Sequence, residues 1–400
     1  MKRILIIAGN DFPVPSIKGG AIETLVDMNI KYNSLNQNYN YTLYSINDKE
    51  LNKVDYSNIN NTEFRYIERN TIKYKLLKIF FGIGRKLFSK QVIPNAYYYL
   101  VYKDLKKRNE NEDYDLVILE NGIKGIKILK KYIKSKIVLH LHNDYVNTKT
   151  SNSRDVIENC DEIWCVSKFI ANQVNNVSNS CKTRIIYNGV DLEKFRFNDN
   201  NRINIRKNLN IKDTDFVYMY SGRIMPSKGV LELIQAFNNL NKIKNKKLII
   251  CGSPRDNSNE IKQYMKKINN EISKNSEEII MCGYIKNDEL TKYYSAADVL
   301  VVPSIWNEAF GMIVIEGLAN GLPVIAAKNG GIPEIINESC GKIVELDSNY
   351  VNSLSESMIK YYSDKKNFEN YKKASEKRAN DFDMLKYQMM YEKFINEICD

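Results

Sequence analysis

The stretch SIWNEAFGMIVIEGLANGLPVIAAKNGGIPEII, residues 304–336, carries the signals of a helix that leads into a buried strand. A helical pattern starts near Gly311, and its side chains are almost all apolar. Gly321-Leu322-Pro323 then ends the helix and restarts an apolar run of strand type. An apolar run also precedes the stretch, and strand, helix, strand is the repeating unit of a parallel sheet. The stretch therefore predicts the α/β class.

Short apolar runs alternate with amphipathic helical patterns along the whole chain. The runs are mostly continuous, as expected for strands that are covered on both faces. This alternation predicts parallel sheets built from strand–helix–strand units. Thirteen runs are predicted to be strands: 3–9, 41–46, 64–68, 115–120, 136–142, 162–167 and 184–189 in the first half, and 216–222, 247–252, 278–284, 298–304, 323–327 and 341–345 in the second.

Two domains are predicted, because 400 residues exceed one typical core. The polar stretch 191–215 divides the two series of strands. We expect two doubly wound Rossmann-like domains, over 1–190 and 213–378, with a linker region over 191–212. Ligands of such sheets bind beyond the carboxyl ends of the strands, and two facing domains would leave a cleft there.

The composition is that of an ordinary folded protein, with 43% hydrophobic and 27% charged residues. No apolar run approaches the roughly 20 residues that cross a bilayer. The run Ile4–Ala8 is followed by polar residues rather than a cleavage site, which favours a first strand over a signal peptide. The seven cysteines form no C-x-x-C pair, which favours reduced thiols and a cytoplasmic location.

The net charge of +11 suggests an anionic partner. No recognised nucleic-acid module surrounds this charge, so no nucleic-acid partner is expected. The segment 65–108 holds twelve Lys or Arg against two acidic residues, and its aromatics and aliphatics lie among the cations. It could bind an anionic membrane surface as a peripheral element. The alternative, given equal weight, is a helix that buries one stripe while its lysines stay solvated.

Glycines and cations follow two of the predicted strands. Gly19-Gly20 precede a helix, and free amides at a helix start suit an anion, although such a pair is usually only a turn. Arg223 and Lys228 follow the first strand of the second domain. A guanidinium and an ammonium that converge there would neutralise a diphosphate. The alternative is two solvated cations.

Two glutamates lie in the stretch 304–336. Glu308 lies just before the helix and Glu316 lies on it. Carboxylates accept hydrogen bonds from vicinal hydroxyls, so this pair suits a sugar or a ribose. The amides of Phe310, Gly311 and Met312 at the helix start would face phosphate or sugar oxygens. Because the helix is otherwise apolar, Glu316 should be partly buried and should need a ligand or a counter-charge.

Taken together, these motifs resemble a retaining glycosyltransferase of the GT-B fold, family 4. The resemblance rests on SGRIMPSKG, GYIKNDELTKYYSAADVLVVPS and EAFGMIVIEGLANGLPVIA, in this order. It implies that a last helix over 379–400 returns to the N-terminal domain. It also implies transfer of a sugar from a nucleotide diphosphate sugar to an acceptor hydroxyl, with the anomeric configuration retained. Bacterial relatives commonly build cell-surface polysaccharides or lipid-linked glycans.

The resemblance also assigns residues of the donor site. Arg223 and Lys228 would hold the diphosphate, and Glu316 the ribose hydroxyls. Glu308 would hold hydroxyls of the donor sugar at the catalytic centre, beside the backbone of Phe310, Gly311 and Met312. Tyr284 and Ile285 fall where the family contacts the base. The loop of Gly19 and Gly20 would reach donor phosphate or acceptor.

HLHND, residues 140–144, holds the only two histidines of the chain. On a strand both would point to one side, but only His142 lies at the strand end. The resemblance makes His142 the catalytic histidine near donor sugar and acceptor, with His140 as support. Asp144 would orient the imidazole or contact the acceptor. Without the resemblance, both histidines are more simply structural.

No metal and no cofactor are expected. The triplets Asp213-Thr214-Asp215 and Asp381-Phe382-Asp383 read D-x-D, but their positions favour turn or cap residues. Two other functions stay open at this point. A nucleotide-sugar epimerase can share the fold. A non-catalytic subunit of a transferase complex can too, although it would be expected to lose Glu308, Lys228 or His142.

Overall fold

The computed structural model describes residues 1–9, 11–88, 91–241 and 243–400. Ser89 and Lys90 of the basic segment, Asn10 before the glycine loop and Lys242 of a predicted helical pattern lie outside the described residues. The chain forms two compact units. Unit 1 comprises Met1–Asn188 and Tyr387–Asp400, and unit 2 comprises Gly189–Lys386.

Unit 1 is built on a parallel sheet in the order β3-β2-β1-β4-β5-β6-β7. The strands are β1 (Lys2–Ile7), β2 (Tyr39–Ile46), β3 (Thr62–Ile67), β4 (Leu116–Glu120), β5 (Lys136–Leu141), β6 (Glu162–Cys165) and β7 (Lys182–Ile185). The helices between them are α1 (Ala21–Asn36), α2 (Ile72–Leu87), α3 (Ala96–Arg108), α4 (Ile126–Lys130), α5 (Ser153–Ile157) and α6 (Lys168–Asn175).

Unit 2 is built on a second parallel sheet, in the order β10-β9-β8-β11-β12-β13. Its strands are β8 (Phe216–Ser221), β9 (Lys246–Cys251), β10 (Ile279–Gly283), β11 (Val299–Val302), β12 (Val324–Ala327) and β13 (Gly341–Val344). The helices are α7 (Leu192–Phe195), α8 (Asp199–Asn208), α9 (Val230–Asn238), α10 (Asn259–Ile272), α11 (Asn287–Ala296), α12 (Met312–Ala319), α13 (Tyr350–Ser363), α14 (Phe368–Ala379) and α15 (Met384–Cys399). The first residues of α15 belong to unit 2 and the rest to unit 1.

The predicted fold class is confirmed. All thirteen predicted strands are present, and the sheet orders are those of doubly wound folds. The apolar runs are continuous because helices cover both faces, so that Ile4–Ile7 on β1 and Val299–Leu300 on β11 are fully buried. Parallel strands end at one edge of each sheet. The segments that follow β4 and β5, and those that follow β8 and β11, therefore lie at such an edge.

The seven cysteines carry free thiols, as predicted. Throughout the ranges that the structure describes, helices are too short or too polar to span a bilayer.

Candidate functional site

The segments after β8 and β11 meet in unit 2, because these strands are neighbours in the sheet. The Lys228 ammonium forms an ion pair with Oε1 of Glu308. The hydroxyl of Ser304 donates to the same oxygen at 2.7 Å. Lys228 and Glu308, which are far apart in the sequence, are thus brought into direct contact.

Two glycines allow this contact. At Gly229, with φ +67°, a Cβ would lie 2.0 Å from the carbonyl oxygen of Pro303. At Gly330, with φ +57°, a Cβ would lie 2.0 Å from the carbonyl oxygen of Glu308. The next amide, that of Gly331, donates to this oxygen at 2.7 Å. The backbones at Gly330-Gly331 and Glu308 therefore approach each other closely, and this approach holds the Glu308 loop in place.

Arg223 lies on the loop between β8 and Lys228, and its side chain is exposed. The hydroxyl of Tyr220 donates to its backbone carbonyl at 2.9 Å and fixes the start of the loop. Burial raises the pKa of Tyr220, the Glu308 charge adds to this shift and the Arg223 charge opposes it. Both charges therefore act on one tyrosine. Within the described ranges, the guanidinium has no ion-pair partner.

Glu316 lies on α12, which begins at Met312 after Gly311 in a left-handed conformation with φ +118°. The predicted burial is confirmed, because Glu316 is only 8% exposed. Its partner is not a cation: the hydroxyl of Tyr294 donates to Oε2 at 2.9 Å. Burial raises the pKa of Glu316 to about 6, although this hydrogen bond and the more distant Lys194 oppose the shift. The structure thus gives Glu316 a tyrosine hydroxyl as partner rather than a counter-charge, and the alternative, a ligand, stays a prediction.

Phe310 is buried and packs edge-on against the ring of Phe382, 5.7 Å away. Tyr284 and Ile285 follow β10, which β9 separates from β8. Tyr284 is exposed. These two residues lie at the same edge of the sheet as the Lys228–Glu308 pair, but the structure does not bring them into contact with it.

The glycine loop of unit 1 leads into α1, as predicted. Gly19 and Gly20 have φ +74° and +101°. A Cβ at Gly20 would lie 2.1 Å from Oε2 of Glu23, so the loop closes over this side chain. Burial raises the pKa of Glu23 to about 7, and the charges of Asp11 and Glu120 add to the shift.

His140 lies on β5 and His142 directly follows its last residue; their rings lie on one side, as predicted, with centroids 4.1 Å apart. Glu120, at the end of β4, is paired with His140 in the sheet register. Its Oε2 forms a 2.7 Å hydrogen bond with Nε2 of His142. The same oxygen lies 2.9 Å from Nδ1 of His140, a charge contact without hydrogen-bond geometry. All three side chains are buried.

Asp144 does not contact the imidazole. Its Oδ1 accepts a hydrogen bond from the amide of Asn147 at 3.2 Å, as does its backbone carbonyl at 2.7 Å. The carboxylate that holds His142 is therefore Glu120, whereas Asp144 lies in a local turn with Asn147, and its predicted contact with the acceptor stays a prediction.

Four residues of these clusters were not predicted from the sequence: Glu23, Glu120, Tyr294 and Ser304. Glu120 had a signal, because it ends an apolar run one strand before the HLHND strand. Tyr294 had none, since its contact with Glu316 depends on how α11 packs.

The D-x-D carboxylates behave as turn or cap residues: Asp215 accepts from the Lys212 amide at 2.8 Å, and Asp383 from the Leu385 amide at 3.0 Å.

The basic segment splits into two different helices. α3 matches the structural alternative, since it buries one face and exposes its lysines. α2 buries Tyr74 and Phe81, whose ring lies 5.2 Å from that of Tyr99. A second apolar stripe of α2 stays exposed on the other side; it consists of Ile72, Leu76, Ile79, Phe80, Ile83 and Leu87.

Comparisons with known proteins agree across most of the chain. A family model described as Glycosyl transferases group 1 matches residues 201–378, and one described as Glycosyltransferase Family 4 matches residues 82–194. The lipopolysaccharide 1,2-N-acetylglucosaminetransferase of Salmonella typhimurium is 26% identical over 339 residues, covering 84% of this chain and 83% of that protein.

Two solved structures share the whole fold. Anabaena HepE in complex with UDP-glucose has a TM-score of 0.75 at 16% identity, covering 99% of this chain and 100% of that one. The sucrose-phosphate synthase of Thermosynechococcus elongatus has a TM-score of 0.74 at 20% identity, covering 100% and 99%. At these identities the likeness concerns the fold alone.

Proposed function

We propose that this chain, which belongs to the group 1 glycosyltransferases and has the GT-B fold, transfers a sugar from a nucleotide diphosphate sugar to an acceptor hydroxyl. The family, fold and enzyme class expected from the sequence are confirmed. The proposed donor, and retention of the anomeric configuration, go beyond that. The contact of Lys228 with Glu308 and Ser304, at the adjoining ends of β8 and β11, carries the donor proposal.

The ion pair suits a donor that presents a diphosphate next to hydroxyl groups. The diphosphate would bind the Lys228 ammonium in place of Glu308, and the exposed Arg223 guanidinium would be a second cation for it. Glu308 would then be free to accept hydrogen bonds from hydroxyls of the sugar. As the glycosidic bond breaks, negative charge grows on the leaving diphosphate, and the two cations stabilise it.

Glu316 and Tyr294 suit the ribose. A buried carboxylate that already accepts one hydroxyl has further lone pairs for vicinal hydroxyls of a ligand. The start of α12 at Met312 would direct its positive dipole end, with the Phe310–Met312 backbone, toward donor oxygens. Tyr284 and Ile285 would contact the base. In unit 1, His142 and the Gly19-Gly20 loop would serve the sugar and the acceptor, with Asp144 beside them.

The reaction as proposed needs no metal and no cofactor, because Arg223 and Lys228 carry the charge of the leaving group. The protein would act mainly by alignment and charge stabilisation. A glycan or lipid-linked glycan of the bacterial cell surface is the proposed acceptor. The Salmonella relative, named for a lipopolysaccharide sugar transfer, supports this choice.

Nucleotide binding tests the donor proposal directly. Uridine, guanosine, adenosine and cytidine diphosphates, and then their hexose and N-acetylhexosamine conjugates, are titrated calorimetrically against the full chain. One nucleoside diphosphate series should bind, and the conjugate with the correct sugar should be hydrolysed or transferred. Absence of binding by every diphosphate would refute the donor proposal.

The exposed stripe of α2 supports a second proposal, a peripheral contact with the anionic inner face of the plasma membrane. Lys75 and Lys86 flank one side of the stripe and Lys73 the other. On a membrane, the apolar side chains would contact the acyl chains and the flanking lysines would bind the anionic headgroups. A lipid-linked acceptor would give this contact a purpose.

Vesicle sedimentation tests the membrane contact. Neutralising Lys75, Lys78, Arg85 and Lys86 should weaken binding to phosphatidylglycerol vesicles at least about tenfold, because each surface cation contributes roughly 1 kcal/mol. Leu76→Ser with Phe80→Ser should weaken it as well. The matched control is Ile203→Ser, an equally exposed isoleucine on α8. If the cation and stripe variants both partition like the unaltered chain, the membrane proposal is discarded.

A further inference from the structure

Unit 1 holds a carboxylate–imidazole pair in which His142 was predicted from the sequence and Glu120 was not. Oε2 of Glu120 is 2.7 Å from Nε2 of His142, and Oε1 is 3.4 Å from the hydroxyl of Tyr391 on α15. The Glu120 side chain is 1% exposed and that of His142 is 4% exposed. A contact of this length between buried groups fixes both side chains.

The ionisation states follow from the surroundings. Burial alone would raise the pKa of Glu120, but the charge of His140 and the hydrogen bond with His142 hold it well below its usual range. Burial lowers the pKa of His142 to about 4, and the neighbouring His140 adds to this shift. At neutral pH the pair is therefore a carboxylate beside a neutral imidazole.

This state leaves only one arrangement of the proton. A carboxylate can only accept hydrogen bonds, so Nε2 of His142 must carry the hydrogen. In a neutral imidazole the other nitrogen, Nδ1, is then an acceptor. Nδ1 of His142 is buried and has no hydrogen-bond partner within the described ranges. A buried acceptor without a donor is destabilising, which indicates that it serves a ligand.

His140 differs from His142 in its position. It is fully buried, and its ring lies 6.1 Å from that of Trp164 and 6.3 Å from that of Tyr391. His142 follows the last residue of β5 and keeps a small exposed edge. Only His142 is therefore placed to meet a ligand.

We infer that Glu120 is a positioning residue: it holds His142 as the Nε2–H tautomer and so presents Nδ1 as the acceptor for a hydroxyl group of the sugar substrate. The role in transfer rests on the proposed function. The tautomer itself does not, because it follows from the Glu120–His142 contact and from the neutral state of the buried His142 ring.

Nuclear magnetic resonance of the ring nitrogens tests the tautomer in the unaltered chain. With only two histidines, a ¹⁵N-histidine-labelled sample gives two sets of ring signals, and His142→Asn assigns them by the set that disappears. At pH 7.5, His142 should be the Nε2–H tautomer. An Nδ1–H tautomer or a charged ring would overturn the inference without any substitution of Glu120.

Glu120→Gln tests the positioning role, because a glutamine amide can donate as well as accept. We expect a mixture of tautomers at His142 and a kcat at least about 10-fold lower, with the KM for the donor within about twofold. Glu158→Gln, an exposed carboxylate of the same unit, should change neither tautomer nor kcat. An unchanged tautomer or an unchanged kcat in Glu120→Gln would overturn the role. If no nucleotide sugar is turned over by the unaltered chain, the proposed function fails, whereas the tautomer result still stands.

Discussion

The two polar clusters at strand ends differ in how much water reaches their carboxylates. In unit 2 the side chains of Lys228 and Glu308 are 22% and 20% exposed to solvent. In unit 1 the side chain of Glu120 is 1% exposed. An ion pair that water reaches is weak, so a ligand can replace either partner at small cost. A buried carboxylate cannot exchange its partner so easily, because an unpaired buried charge is strongly destabilising. Unit 2 is thus built to exchange partners, and unit 1 to hold one imidazole in place.

The largest expected effect is on donor binding in unit 2. Lys228→Ala removes the cation proposed for the diphosphate and leaves Glu308 to repel it. We expect the affinity for the nucleoside diphosphate to fall at least about 100-fold, roughly 3 kcal/mol, by isothermal titration calorimetry. Lys274→Ala is the control, because Lys274 forms a comparable pair with Glu271 on α10. Equal affinity in the Lys228 variant and the control would mean that the pair does not bind the donor.

Glu23 is a buried carboxylate of unit 1, and its effect can be measured as the pH dependence of the free energy of unfolding. Its pKa is raised to about 7, whereas an unfolded glutamate titrates near 4.5. The folded state therefore keeps the proton longer, and the free energy of unfolding falls by about 3 kcal/mol as the pH rises from 4.5 through 7.

Glu23→Gln should remove this loss. The variant should equal the unaltered chain at pH 4.5 and be more stable at pH 8, in urea unfolding followed by the fluorescence of Trp164 in unit 1. Parallel stability curves from pH 4.5 to 8 would show that the folded chain does not hold a proton on Glu23.

Glu316 tests whether a buried carboxylate can also bind a ligand. It is buried, like Glu23 and Glu120 of unit 1, but it lies in unit 2. Its pKa of about 6 means that it gains a proton as the pH falls through 6 and loses part of its capacity to accept. Donor affinity should therefore fall at acidic pH, by up to about 10-fold for each pH unit below 6.

Glu316→Gln should weaken donor binding at pH 7.5 and remove most of this pH dependence, whereas Lys274→Ala should retain it. The stability effect has the opposite sense: unfolding becomes easier by about 2 kcal/mol as the pH rises from 4.5 through 6. A donor affinity in Glu316→Gln that still falls below pH 6 would assign the titration to another group.

Sequence patterns predicted the fold well because strand signals are local. A run such as VLVV in β11 is apolar whatever surrounds it, and a parallel sheet needs such runs. Lys228 was predicted because it lies on the loop after the first strand of the second domain, and Glu308 because it lies just before α12. The two loops meet because they follow β8 and β11, which are neighbours in the sheet.

Contacts that depend on packing were less accessible. Glu120 meets His142 only because β4 pairs with β5 in the register that sets Glu120 opposite His140, and register cannot be read from one strand. At Glu316 the burial could be predicted, because it is a property of α12, but the Tyr294 hydroxyl could not, because it comes from α11. For α2, periodicity showed apolar side chains but could not tell which stripe packs inward.

The smallest effect concerns the backbone beneath the exchangeable pair. Gly330 and Gly283 both have positive φ, +57° and +70°, so alanine strains either position. Only at Gly330 would the new Cβ meet backbone, the Glu308 carbonyl oxygen at 2.0 Å, whereas nothing lies within 4 Å of a Cβ at Gly283. Gly283→Ala therefore measures the strain of positive φ alone, about 1 kcal/mol, and Gly330→Ala should cost at least about 1 kcal/mol more. Differential scanning calorimetry should show the lower unfolding midpoint for Gly330→Ala, together with weaker donor binding because the Glu308 loop is displaced. Equal midpoints and equal donor affinities would indicate that the loop yields freely, and that the pair with Lys228 does not depend on the close approach of Gly330.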